Sequence, residues 1–232
     1  MKAILLDIEG TTTPIDFVHK ILFPYAKEKI AEYVRENFTE LADEIAALKK
    51  EHAEDILYKG QFDETSPESV SHYLKFLIDI DRKSTPLKTL QGKIWQQGYE
   101  NGALKGEVFA DVPAAFERWQ SEGKKIAIYS SGSVLAQKLI FANSTAGDLT
   151  KFISEYFDTT TGAKRDTESY KKIAEALKLA PADILFISDV PAELDAARIA
   201  GLSTALSLRE GNAELTEEPT HRIIQIFDEI TE

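Results

Sequence analysis

The sequence predicts an α/β fold, a doubly wound and mostly parallel sheet, with an all-helical insertion. Two observations predict it. Short apolar runs ending in Asp, Ser, Gly or Thr alternate with helix-spaced apolar patterns near the start of the chain and again over its second half. Between about residues 16 and 101 such strand-like runs disappear and only helical spacing remains. The expected division is therefore an α/β core of residues 1–15 and 102–232, with residues 16–101 as the insertion.

The first strand is the run Ile4-Leu5-Leu6, which ends in Asp7-Ile8-Glu9 before the turn-forming Gly10-Thr11-Thr12. Thr13-Pro14 punctuates the chain, and from Phe17 the residues Ile21, Leu22, Tyr25, Ile30, Tyr33 and Val34 recur at helical intervals, continued by Leu41, Ile45 and Leu48. Further helices hold Val70, Tyr73, Leu74 and Leu77, and then Leu87, Leu90, Ile94 and Trp95 towards Gly98. A helix from Pro113 to Glu122 stops at Gly123, and Ile126-Ala127-Ile128-Tyr129 follows as a strand. Tyr156-Phe157 reads as a weaker strand, Ile184 to Ile187 as a strong one and Ser203 to Leu208 as the last. The helices between them are Ser133 to Asn143, Glu168 to Leu179 and Pro191 to Ala200, and the charged stretch Glu214 to Glu218 reads as a solvated surface turn.

Bulk composition narrows the function classes. With 27 basic and 39 acidic residues in 232, the net charge of -12 disfavours a nucleic-acid or anionic-membrane surface. There is no cysteine, hence no disulfide framework, thiolate nucleophile or cysteine metal site. The Met-Lys-Ala start reaches Asp7 after only a few apolar residues, and no apolar run approaches membrane-spanning length. The expectation is a soluble cytoplasmic monomer acting on a small molecule.

Reactive or anion-binding residues follow three of these strands. Alternation along an extended chain would put Asp7 and Glu9 on one side, where they could share a metal ion or a phosphoryl group. The second strand runs into Ser130-Ser131-Gly132-Ser133, hydroxyls and turn amides at a helix N-terminus that suit a phosphate. Ser188-Asp189, then Pro191 and Glu193, bring further carboxylates to the same edge, and Lys164 lies after the third strand. Each motif also has a structural reading: Asp7 and Asp189 as caps, the serines and glycine as cap and turn, Lys164 as a solvated lysine.

Taken together, the acidic pair, the Ser motif, the lysine and the late acidic motif resemble the haloacid dehalogenase superfamily of aspartate-dependent phosphatases. The wording of Asp7-Ile8-Glu9-Gly10-Thr11-Thr12, Phe23-Pro24-Tyr25, Leu90-Gln91-Gly92, Tyr129-Ser130-Ser131-Gly132-Ser133, Ala136-Gln137-Lys138-Leu139 and Gly211-Asn212-Ala213 is similar to the acireductone synthases, the enolase-phosphatases of methionine salvage. Glu9 stands where most superfamily phosphatases carry Asp, and the helical insertion resembles that family's cap.

The resemblance implies a bifunctional enolase-phosphatase acting on 2,3-diketo-5-methylthiopentyl-1-phosphate through an aspartyl-phosphate. It implies Asp7 as nucleophile, Glu9 as general acid and base, Lys164 as a catalytic and substrate-binding cation, and Ser130 and Ser131 as substrate ligands. One Mg²⁺ per chain would be held by Asp7, Glu9 and Asp189, with Glu9 contributing its backbone carbonyl, its side chain or both. Trp95, Phe17 and Tyr99 are candidates for gripping the methylthio group, although aromatic residues at helical spacing commonly form core. Two other readings compete: a general small-metabolite phosphatase of the same superfamily, and a phospho-accepting signalling module, which would need no large helical insertion.

Overall fold

The computed structural model describes residues 1–214 and 220–231. Most of the Glu214 to Glu218 stretch, expected to be a surface turn, lies outside the described residues. The chain forms two compact units: Met1–Val18 with Lys105–Glu232, and His19–Leu104. No described helix is long and apolar enough to cross a membrane.

The first unit carries a six-stranded, all-parallel sheet made of β1 (Ala3–Leu6), β2 (Lys125–Tyr129), β3 (Ile153–Phe157), β4 (Ile184–Ser188), β5 (Ser203–Ser207) and β6 (Arg222–Ile224). Their order is β3-β2-β1-β4-β5-β6. Strand order reverses between β1 and β4, and ligands of open parallel sheets bind beyond the carboxyl ends of the strands at such a switch. Leu6 pairs with Ile128 on one side and Ile187 on the other. Asp7, the end of β2 and Ser188-Asp189 therefore reach one edge together. All four residues of β1 are fully buried, as a parallel strand covered on both faces requires.

β6 is a strand that sequence reasoning missed, because three residues are too few for periodicity to register. β3 is longer than its two-residue signal. A register irregularity between Ile126 and Ala127 disturbs the alternation of Ile153-Ser154-Glu155-Tyr156-Phe157.

The second unit is helical: α1 (Phe23–Asn37), α2 (Ala42–Glu54), α3 (Pro67–Asp79) and α4 (Thr85–Glu100). Ala26, Ile30 and Val34 form the buried stripe of α1 at four-residue spacing. Ser66 and Ser84 cap α3 and α4 by accepting from the amides of Ser69 and Leu87, with Pro67 first in α3 and Pro86 second in α4. Trp95 and Tyr99 are buried here, and Trp95 Nε1 donates to the Leu22 carbonyl at 2.9 Å. Phe17, in the first unit, is buried as well, so all three aromatic candidates are packed inward.

The first unit's helices are α5 (Val112–Ser121), α6 (Val134–Ala142), α7 (Thr167–Leu177) and α8 (Pro191–Ile199). Asp111 occupies the N-cap position of α5 but its carboxylate does not cap the helix. It holds Arg209 in a forked pair at 3.0 and 2.9 Å and accepts from the Phe227 amide at 2.6 Å. Arg209 is buried between the rings of Phe109 and Phe227, with its Nε donating to the Thr11 carbonyl at 3.3 Å. Asp111→Ala would strand this guanidinium without a counter-charge. Urea unfolding followed through Trp119 in a Trp95→Phe background should show the first unit weakened by about 3–5 kcal/mol; a loss under about 1 kcal/mol would show the pair to be incidental.

Candidate active site

β1 ends at Leu6, so Asp7 and Glu9 stand in the following turn and strand alternation does not set their directions. Asp7 is buried and Glu9 half-buried, with the backbone of Glu9 bridged to Thr13. The turn is tight. The amides of Thr11, Thr12 and Thr13 all donate to the Ile8 carbonyl, and Gly10 donates to Thr13. Gly10 has φ +69°, and a Cβ there would collide with the Asp189 carboxylate, so only glycine fits.

Asp7 is fixed from both sides. Its Oδ1 accepts from the Ile8 amide at 2.7 Å, and its Oδ2 lies 2.7 Å from Lys164 Nζ. The same ammonium sits 2.6 Å from Glu193 Oε2, and the Lys164 side chain is only 9% exposed. Ser188 Oγ lies 3.3 Å from Asp7 Oδ2 and 3.0 Å from Glu193 Oε2, and its one proton serves one of them at a time.

Lys164 reaches this position because its loop is gripped along three successive carbonyls. Tyr129 donates to Gly162 at 2.9 Å, Ser169 to Ala163 at 2.8 Å and Tyr170 to Lys164 at 2.6 Å. Gly162, at φ +151°, leaves no room for a Cβ against the Ser169 hydroxyl. The ammonium also lies 6.0 Å from the centroid of the Tyr129 ring.

The electrostatics follow from burial. Burial works to lower the Lys164 pKa, but the charges of Asp7 and Glu193 outweigh it and hold the ammonium above its ordinary value. Glu193 is pushed up, first by burial and then by the charge of Asp7, with Lys164 opposing. Burial, reinforced by Asp7, pushes Asp189 up to about 7. Three carboxylates thus share one ammonium, leaving an excess of negative charge in a largely dry site.

At the end of β2, Ser130 is buried and Ser131 exposed. Ser130 Oγ accepts from the Gly132 amide at 3.2 Å, and Gln137 braces the turn by donating to the carbonyls of Gly132 and Phe157. The hydroxyl of Ser133 is spent capping α6 at the Ala136 amide, while Asp158 accepts from Val134.

The fold thus brings Asp7, Lys164 and Asp189 into one charged cluster with Glu193 and Ser188, and sets Ser130 and Ser131 at the neighbouring strand end. Glu193 was legible as an acid at this edge. The bridging role of the Ser188 hydroxyl and the grip of Tyr129, Ser169 and Tyr170 on the lysine loop carried no sequence signal, since nothing in their spacing marks the carboxylates and carbonyls they reach.

Residues 1–201 match the family model described as haloacid dehalogenase-like hydrolase. Proteins named Enolase-phosphatase E1 are similar over almost the whole chain. That of Synechococcus elongatus is 51% identical over 99% of this chain and 98% of its own. That of Leptospira borgpetersenii is 52% identical over 94% and 92%, and that of Drosophila melanogaster 48% over 94% and 87%. The crystal structure of UTR4 protein from Saccharomyces cerevisiae covers 99% of both chains at 34% identity and a TM-score of 0.81.

Lys164→Met would leave Asp7 and Glu193 facing each other with no cation between them. Glu193, already raised, then ionises beside Asp7 with no cation to offset it, so the variant should lose more stability than the wild type between about pH 5 and pH 8. Denaturant midpoints at the two pH values measure this; parallel shifts in both proteins would show that Lys164 does not neutralise the cluster.

Proposed function

Because the chain belongs to the enolase-phosphatase E1 family of haloacid dehalogenase-like hydrolases, it converts 2,3-diketo-5-methylthiopentyl-1-phosphate to acireductone and phosphate in methionine salvage, and we propose that Asp7 is the nucleophile of the phosphatase step. The observation that carries the assignment is the position of Asp7, a buried carboxylate at the switch point with one oxygen on the Ile8 amide and the other on Lys164.

The phosphatase half of the reaction balances as two displacements. A carboxylate oxygen of Asp7 attacks phosphorus, the bond to the substrate's C1 oxygen breaks, and Glu9 gives that oxygen a proton. Water then attacks the aspartyl-phosphate, Glu9 takes its proton, phosphate leaves and the Asp7 carboxylate is restored. Ser130 and Ser131 hold phosphoryl oxygens, and Lys164 neutralises the charge they gain. Glu193 keeps the ammonium in place while Asp7 is esterified and its own hold on Lys164 weakens.

The excess of buried carboxylate fits a divalent cation, and Mg²⁺ is proposed as the cofactor, one per chain. Among the described residues no group of three acidic, His or Cys side chains is set to hold a metal ion by itself. Mg²⁺ binds few carboxylates and keeps waters and substrate oxygens. Asp7, Asp189 and Glu9, through its carbonyl or side chain, would hold it; when bound it supplies charge neutralisation at the phosphoryl group and polarises the diketone. The helical unit 19–104 is proposed to be the family's cap, and the protein to act as a cytoplasmic monomer.

A paired assay on the diketo phosphate, reading enediol absorbance and released phosphate together, tests these roles. Asp7→Asn should keep its circular dichroism and lose phosphate release by about a thousandfold or more; substantial turnover would remove Asp7 as nucleophile. EDTA should cut wild-type phosphate release by about a hundredfold or more, with Mg²⁺ restoring it. Full activity in a verified metal-free preparation would refute the cofactor.

A further inference from the structure

The carbonyl of Gly10, in the turn between the two acids and the threonines, accepts from two side chains of the segment after β5. Ser207 Oγ reaches it at 3.2 Å and Asn212 Nδ2 at 3.0 Å. Asn212 Nδ2 also donates to the Ser207 carbonyl at 3.1 Å, so both of its protons are used. Its other amide atom is different: Asn212 Oδ1 is buried and has no hydrogen-bond partner.

That orphaned acceptor is placed beside the charged cluster. A Cβ built on Gly10 would meet the Asp189 carboxylate and, at 3.1 Å, Asn212 Oδ1. The amide oxygen and the carboxylate therefore lie against the same bare face of Gly10. A buried acceptor is costly unless a donor completes it. The neighbouring Asp189 carboxylate, when ionised, has no proton to offer; a water on a cation held by that carboxylate has two.

We propose that Asn212 is a positioning residue for the divalent cation: its amide nitrogen fixes the Gly10 carbonyl, and with it the turn bearing Asp7 and Glu9, while its Oδ1 accepts a hydrogen bond from a cation-bound water beside Asp189. The inference rests on the cofactor reading given above. Partners that orient metal ligands and metal-bound water set affinity as well as rate, and their loss commonly costs ten- to a hundredfold. Asn212 needs no contact with substrate to act in this way.

Isothermal titration of metal-free protein with MgCl₂ tests it, using wild type, Asn212→Leu, which keeps the volume, and Asn212→Ala. Both variants should bind Mg²⁺ about tenfold or more weakly, melt without metal within a few degrees of wild type, and regain turnover as Mg²⁺ is raised. Wild-type affinity in a folded variant overturns the inference while leaving the cofactor reading intact. Absence of Mg²⁺ binding by the wild type overturns both. Metal-free melting temperatures that collapse in both variants mark a purely structural role and also overturn it.

Discussion

The ammonium of Lys164, shared between Asp7 and Glu193, is the interaction on which the site depends. Without it the carboxyl edge of the sheet would bury three carboxylates with no positive charge among them, and a buried ion costs several kcal/mol unless compensated. One cation for three acids is incomplete compensation. Burial, reinforced by the charge of Asp7 and only partly offset by Lys164, displaces Asp189 and Glu193 upward. The same shortfall suits a site proposed to gather a divalent cation and then to receive an anion.

Holding such a cluster in register demands rigid supports, and the chain supplies them from its distant end. The turn after β1 is tied by Ser207 and Asn212 at Gly10 and by Arg209 at Thr11. Arg209 is in turn locked by Asp111 and sandwiched by two phenylalanines. The turn that follows Asp7 is therefore positioned by a segment nearly two hundred residues away in sequence. Lys164 is supported separately, through the carbonyls of its own loop.

How much of this was legible depended on whether the signal was local. β1, β2 and β4 could be read because apolar runs end abruptly in polar turns, and the stripe of α1 because its spacing matches a helical turn. Asp7, Ser130 and Asp189 could be placed at one edge because each follows a strand of a parallel sheet. Lys164 could not be derived that way; only the resemblance singled it out, since a lysine in a loop carries no periodic signal. The Arg209–Asp111 pair was invisible for a related reason. Asp111 looks like an ordinary N-cap before α5, and nothing local discloses that a distant arginine has taken its carboxylate. The two acids after β1 follow a different logic: the strand ends at Leu6, and a glycine-dependent turn, rather than alternation, sets where Glu9 stands.

The placement of the cluster has an energetic logic. β1 is central, fully buried and paired on both sides, so its carboxyl end is among the last parts of the fold to move. Repulsion among buried carboxylates favours any motion that lets water in. Located on an edge strand or a free loop, it would be relieved by local opening and the spacing of the charged groups would be lost. Asp7 follows β1 directly and its amide still donates to the Ile187 carbonyl, so moving its carboxylate away would disturb a strand paired on both sides. The resulting cost falls on overall stability, where a large parallel core can absorb it, while the position of Asp7 is preserved.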